Sequence, residues 1–465
     1  MKNKLIAWLI PILMGIVIWN LPIPEGVKAD AWHLFAIFLA TIIAFITGPA
    51  SMGTIAIMAI VLTTLLKVLP VGTALSGFSN STIWLIVAAF LLSRGFIKTG
   101  LGERIAFLLI KAFGKSPISL AYTLLVSDLI IAPATPSNTA RTGGVLYPIT
   151  RSLASAFGSE PDGTRRKIGA YLIQVITQTS GITSAMFMTA NAPNPMIVSL
   201  VAVSFAITMD WGGWFMAGLV PGLVSLVLMP LILYKLYPPE LKDTSKAQDI
   251  AREHLERMGA FSKDEKCMLV VFLGCLVLWA TGSLTGINAT SVALLGVAVL
   301  LVTNVLSWSD VKKEQGAWDT LVWMGTLIAL ATQLTKLGFI PWLAEIIGAG
   351  LSGVSWVPAL IVLFLAYFYI HYMFASLSAH AAALYIAFAS VALACGAPPM
   401  LALYLLAFAN GLFLPLTHYS SGPASILFAS GYVTQTEWWK LGFIFSVVYI
   451  LIWGGVGSLW WKVLG

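Results

Sequence analysis

The sequence predicts an all-α polytopic membrane protein with eleven transmembrane helices and two re-entrant hairpins, arranged as inverted repeats. Three observations predict it. Apolar runs long enough to cross a bilayer recur along the whole chain. Four of those runs are broken by polar residues, three of them set beside proline or glycine. The breaks in the second half echo those in the first, about 238 residues further on.

Composition sets the class. The chain has 465 residues, of which 59% are hydrophobic and 10% charged. Soluble domains carry about 25% charged residues. The spanning segments are helical, because the apolar runs are unbroken rather than ten-residue alternating strands. The net charge of +7 needs no nucleic acid, since basic cytoplasmic loops explain it. Cys267, Cys275 and Cys395 lie in or beside apolar segments without metal-type spacing and read as inert packing residues. No metal centre and no cofactor is expected.

The first 30 residues hold an N-terminal span, about 4–21, with Lys2 and Lys4 ahead of it and no small-x-small cleavage site after it. The expected setting is a bacterial plasma membrane. Residues 31–236 form a first repeat. It has spans near 31–48, 51–69 and 82–97, an amphipathic piece at 100–114 and a broken stretch at 116–150. A polar loop at 151–167, an interrupted span at 168–204 and a span at 213–235 complete it. Residues 237–266 mix acids and bases and read as a cytoplasmic linker with a short surface helix. Residues 267–465 form the second repeat, with spans near 267–284, 288–306 and 319–337 and an amphipathic piece at 339–350. A second broken stretch at 355–394, an interrupted span at 398–430 and a last span at 437–463 follow.

The repeat rests on an ordered series of matches. Lys98-x-Gly100 recurs as Lys336-x-Gly338, Ala106 as Ala344, and Leu146-Tyr147 as Leu384-Tyr385, at an offset of 238. Ser137 and Ala140 recur as Ser376 and Ala379 at 239, and Thr189 and Pro195 as Thr417 and Pro423 at 228. Charge orients the copies. Arg94, Lys98, Arg104, Lys111 and Lys115 stand against Glu103 in the first copy, where the second has only Lys336 and Glu345. The positive-inside rule then opens the first hairpin to the cytoplasm and the second to the outside. The amino terminus and the linker fall inside and the carboxyl terminus outside. Inverted repeats with discontinuous helices around a midplane site are the architecture of secondary transporters.

The four breaks are Ser137-Asn138-Thr139, its degenerate copy Ser376-Leu377-Ser378, the stretch Met188–Pro195 (MTANAPNP) and the stretch Leu416–Pro423 (LTHYSSGP). Read together they form one site. Its binding candidates are Ser137, Asn138, Thr139, Ser376, Leu377, Ser378, Pro193, Asn194, Thr417, Gly422 and Pro423. Free N–H groups at half-helix N-termini favour carboxylates. The bland alternative, polar residues that merely glue helices together, explains one such break better than four in repeat-related pairs. Arg141 and His380 each lie four residues after the serine of their motif. An ionisable group inside a membrane is a functional candidate by default. The alternatives are pairing of Arg141 with Asp128, or snorkelling, and a neutral core role for His380. His371 and His418 are weaker candidates.

At these residues the chain resembles the divalent anion/sodium symporter family, the dicarboxylate and citrate carriers. The PSNTAR wording and its SxSAH counterpart resemble the exchanger branch, typified by bacterial citrate/succinate and plastid 2-oxoglutarate/malate translocators. The resemblance implies a homodimer, an elevator-type moving part carrying both hairpins and both broken helices, and di- or tricarboxylate anions held between the hairpin tips. Two departures matter. Leu377 lacks an expected amide, and Gly422 stands where the first copy has Asn194. Both weaken a second sodium site, so Arg141 and His380 are expected to supply fixed positive charge where symporters bind sodium. A sodium-independent exchanger follows, with no enzymatic activity.

The nearest rival is a sodium- or proton-coupled symporter, with a residual cation site at Asn138, Thr139 and Asn194. A remote rival is an intramembrane enzyme recruiting Asp128, His371, His380 and His418. It has no Gly-Asp or HExxH motif and leaves the repeat unexplained. A channel fits paired hairpins around a closed site poorly.

Overall fold

The computed structural model describes residues 2–161, 163–350, 353 and 355–464. Position 1 of the first predicted span, position 162 of the predicted polar loop and position 465 of the second repeat lie outside the described residues, as do 351, 352 and 354. No strand occurs among the described residues.

The first half begins with α1 (Lys2–Asn20), α2 (Ala29–Thr47), α3 (Met52–Leu65) and the one-turn α4 (Val71–Ala74). It continues with α5 (Ser81–Thr99), the amphipathic α6 (Leu101–Phe113) and α7 (Pro117–Ile131). Beyond a break, helix resumes with π-type bonding over Thr139–Leu146 and runs on as α8 (Tyr147–Ala156). Then come α9 (Gly169–Met186), α10 (Pro193–Phe205) and α11 (Trp211–Leu236). The linker carries α12 (Lys246–Met258).

The second half has α13 (Lys263–Ala280), α14 (Gly282–Thr285), α15 (Ala289–Val302) and α16 (Trp308–Lys313). Next are α17 (Gln315–Lys336), α18 (Phe339–Gly350), α19 (Trp356–Tyr369), α20 (Leu377–Ala394), α21 (Pro399–Leu412) and α22 (Gly422–Ala429). Finally α23 (Gln435–Leu451) passes through a π-type stretch, Ile452–Gly457, into α24 (Ser458–Leu464). The order from α5 to α11 recurs from α17 to α24: long helix, short amphipathic helix, broken hairpin, broken pair, long helix.

Local chemistry sets the helix starts. Asn80 caps α5 by accepting from Thr82 N and Ile83 N. Ser116 opens α7 with a reciprocal serine box and Pro117 at the first helical position. Ser262 and Glu265 form such a box for α13, Ser307 and Asp310 for α16, and Thr434 and Glu437 for α23. Lys98 and Ser307 hold the Asp310 carboxyl well below the usual carboxylate range, Lys98 at 2.7 Å.

Several boundaries differ from the sequence reading. Lys67 and Asn304 take positive φ (58° and 59°), which ends α3 and α15 short of the expected 69 and 306. The second arm of the first hairpin runs to Ala156, into the stretch expected to be a polar loop. The box at Ser262 starts α13 inside the expected linker. By length and composition, seven helices among the described residues qualify to cross a membrane, and the hairpin arms Pro117–Ala134, Trp356–Met373 and Leu377–Ala394 are among them.

The core centres on α9, every residue of which is buried, and on α21, buried from Leu401 to Leu412. Large apolar side chains such as Leu65, Val270, Val302, Val362 and Leu451 are more than half exposed on the outer helices, as lipid-facing residues are. The hairpins and broken pairs pack crosswise. The second arm of the first hairpin meets α22, and the second arm of the second hairpin, α20, meets α10.

Candidate functional site

The site grows from the two hairpin tips. In the first, a 3-10 turn over Ala132–Ala134 leads through Thr135 and Pro136 to Ser137. Pro133 and Pro136 prevent a continuous helix. Ser137 Oγ accepts from Ala140 N at 3.1 Å, and Ser376 Oγ accepts from Ala379 N at 3.3 Å. The two repeat-related serines therefore start the two inner hairpin arms in the same way. In these contacts each hydroxyl is the acceptor, and its own O–H is not used in them.

Asn138 Nδ2 donates to Asn191 Oδ1 at 3.3 Å, which sets the first hairpin tip against the break between α9 and α10. Gly422, at the first position of α22, faces Thr139, and a Cβ on Gly422 would collide with Thr139 Oγ1. The N-termini of the first hairpin's inner arm, of α10 and of α22 are thus neighbours. Pro193 and Pro423 both sit in the first turn of their half-helix, where the missing N–H costs nothing. Positive ends of helices gathered in a buried site attract carboxylates.

Arg141 lies one turn inside the first arm, and its side chain is fully buried. All five of its N–H donors are used. Nε donates to Asp128 Oδ1 at 2.8 Å. One terminal nitrogen donates to the carbonyls of Thr135 (3.0 Å) and Ala190 (2.9 Å), the other to Thr183 Oγ1 (3.2 Å) and Ser184 Oγ (3.0 Å). Asp128 Oδ2 accepts from Thr183 at 2.5 Å. Arg141 thus makes the pairing with Asp128 that stood as the alternative: Asp128 is an equally buried countercharge, and burial demands such a partner. The guanidinium clamps a hairpin carbonyl to a carbonyl of the neighbouring broken helix.

His380 occupies the matching place in the second hairpin. Its Nδ1 is 3.0 Å from His371 Nδ1, and His371 Nε2 is 3.0 Å from Ser420 O. The histidine pair thus ties the second hairpin to the break between α21 and α22. Arg141 has Asp128 thirteen residues before it, and His380 has Tyr367 at that spacing. The Tyr367 ring meets His380 edge-on at 4.5 Å.

The other candidates fall in several settings. Leu377 turns its side chain into the hydrophobic core. Ser378 is half-buried, with Ser376 beside it at the start of α20. Asn194 Nδ2 donates back to Ser184 O (2.7 Å) and Phe187 O (3.0 Å), fastening α9 to α10. Among the described residues, Asn194 Oδ1 and Thr417 Oγ1 are buried without a hydrogen-bond partner. His418 Nδ1 accepts from Trp439 Nε1 at the partly exposed rim. Asn191, Thr183 and Ser184 join the site beyond the residues expected from the motifs, and His371 is more central than its sequence setting suggests. A signal existed: Gln174, Thr177, Gln178, Thr179, Ser180, Thr183 and Ser184 crowd one apolar span, and Asn191 sits inside the MTANAPNP break.

The family model described as the sodium:sulfate symporter transmembrane region matches residues 2–465. The chain is 52% identical over 463 residues to the "Putative malate transporter YflS" of Bacillus subtilis (strain 168), covering 99% of this chain and 97% of that protein. It is 46% identical over 457 residues to the chloroplastic dicarboxylate transporter 1 of Spinacia oleracea, covering 98% of this chain and 80% of that one. Among solved structures, the YdaH transporter of Alcanivorax borkumensis shares the fold, with a TM-score of 0.56, 15% identity, and coverage of 99% and 97% of the two chains. The all-helical membrane fold, the broken hairpins and a family match over nearly the whole length agree. The chain belongs to the sodium:sulfate symporter family, the divalent anion/sodium symporters, and is a multi-pass membrane transporter.

Proposed function

We propose that this protein is a sodium-independent exchanger of di- and tricarboxylates of the succinate, malate, 2-oxoglutarate and citrate class. The observation that carries the reading is the pair of built-in basic side chains at repeat-related places in the two hairpins. Arg141 joins the Thr135 and Ala190 carbonyls, and His380 joins Ser420 O through His371. Each holds a hairpin to its broken helix, as a bound cation would, and neither can leave with the substrate. The substrate carboxylates lie between Ser137-Asn138-Thr139 and Ser376-Leu377-Ser378, against the N-termini of α10 and α22. Relatives named as malate and dicarboxylate transporters support this substrate class.

In this reading residues 31–236 and 267–465 are inverted repeats, joined by a cytoplasmic linker at 237–266 and preceded by the first span. Eleven spans and two hairpins result, with the amino terminus inside and the carboxyl terminus outside a plasma membrane. Two copies associate, and the hairpins with the broken helices move as an elevator. The recurrence of element order from α5 to α11 in α17 to α24 supports the repeat.

Sodium-coupled symport is the second reading. The unpartnered Asn194 Oδ1 favours it, with Asn138 and Thr139 as the other candidate ligands. Purified protein in liposomes separates the two. Uptake of labelled malate only with dicarboxylate inside, unchanged without sodium, supports exchange. Uptake into empty vesicles driven by a sodium gradient overturns it.

A further inference from the structure

We propose that the His371–His380 pair is a proton-binding site, and that it takes up one proton when a carboxylate substrate binds. The proposal rests on the carboxylate-transporter reading and adds a coupled ion to it.

Hydrogen-bond accounting locates the proton. Ser420 O can only accept, so His371 Nε2 carries a hydrogen. The 3.0 Å contact between the two Nδ1 atoms holds one hydrogen and no more. His371 is therefore the acceptor there, and His380 Nδ1 the donor. This leaves His380 Nε2, which is buried and has no partner. An added proton has one place to go without breaking a bond, and that is His380 Nε2.

The surroundings suit a cation. Three rings enclose His380: Tyr367 at 4.5 Å, Phe413 at 4.6 Å and Phe374 at 4.9 Å between centroids. Tyr367 meets the imidazole edge-on and Phe413 and Phe374 are tilted against it, and a ring face at this range attracts a cation, more strongly where water is excluded. The cage by itself does not offset the cost of an isolated charge in a membrane. An anion at the hairpin tip does, and His380 N bonds Ser376 O, so the residue follows by one turn the serine that starts the second hairpin's inner arm. The proton and the anion each lower the cost of the other, which is linkage.

No other charged group meets this ring among the described residues. The elements packed against α20 carry Asp30 and His33 on α2, Glu345 on α18, Tyr367 and Tyr369 on α19, and Tyr404 on α21, while α10 carries no titratable residue. Of these only Tyr367 makes a ring contact with His380, and His371 is the one hydrogen-bonded partner. Arg141 has Asp128 as its own countercharge, so the switchable charge of the site resides in the second hairpin.

Isothermal titration calorimetry of the purified full-length chain with malate, at mildly alkaline pH where malate is fully ionised, tests this. Measurements in two buffers of different ionisation enthalpy give the protons taken up. The expected result is an uptake approaching one proton per protomer, with malate affinity falling up to about tenfold per pH unit as pH rises. In His380→Arg the uptake vanishes and affinity becomes flat with pH. His380→Gln loses the uptake and binds weakly at every pH. Buffer-independent binding heat in the native protein overturns the proposal, whether or not the variants fold, and leaves the carboxylate reading standing. Unchanged uptake in a folded His380→Gln protein also overturns it. Absence of malate binding together with absence of malate exchange in liposomes overturns both.

Discussion

Arg141 Nε lies 2.8 Å from Asp128 Oδ1, and the two side chains, on opposite arms of one hairpin, are both fully buried. The pair makes the hairpin tip a single electrically balanced unit. Removing the arginine alone strands a carboxylate in the core. Arg141→Ala is therefore expected to abolish exchange and also to lower stability by about 3–5 kcal/mol. The double variant Asp128→Ala with Arg141→Ala recovers most of that stability and none of the exchange. Thermal unfolding in detergent and liposome uptake check the two halves separately. A single variant as stable as the native protein contradicts the countercharge.

Gly422 is required by contact rather than by backbone conformation. Any Cβ there meets Thr139 Oγ1. Overpacking of this kind costs about 1–3 kcal/mol. Placed on the transport barrier, that is roughly a five- to 150-fold loss of rate. Gly422→Ala is expected to fold and to show that loss in labelled-dicarboxylate exchange. Native-like rates in that variant count against a tight junction between the first hairpin and α22.

Asn191 holds Asn138 through a single amide contact of 3.3 Å. Losing it is worth about 1 kcal/mol. Asn191→Ala is expected to raise the half-saturating dicarboxylate concentration about fivefold, with less change in maximal rate. Competition against labelled malate measures it. An unchanged value removes Asn138 from substrate positioning.

Lys98 and Asp310 clip the end of α5 to α16 at 2.7 Å. The folded-state pKa of Asp310 is depressed, with Lys98 as the largest cause and Ser307 next. Its stabilisation is therefore present above the unfolded-state value of about 3.9 and is lost as pH falls toward the folded-state value. Lys98 is partly exposed, so the pair is worth no more than about 1 kcal/mol. Native protein and Lys98→Met should differ by a small constant amount from pH 8 to about pH 5, narrowing below about pH 4. Wider separation in acid reverses the assigned sign.

The linear order of residues was enough to read the membrane class and the family, because long apolar runs have one stable use and Ser137-Asn138-Thr139 with its copy is specific. It also showed both hairpins, the interrupted α9–α10 and α21–α22 pairs, and the surface helix at Lys246–Met258, because proline, glycine and clustered polar residues interrupt apolar helices locally. The ends of α3 and α15 escaped it, since positive φ at Lys67 and Asn304 has no strong residue signature.

Partnership was another matter. Whether Arg141 faces Asp128, whether Leu377 points at a ligand or into the core, and which histidine meets His380 depend on how distant segments are brought together. Side-chain direction and countercharge are properties of packing, which chain order constrains only weakly. The cationic residues were legible one at a time. Folding balances Arg141 with a carboxylate and gives His380 a second imidazole, so one hairpin carries a paired charge and the other a site open to a proton.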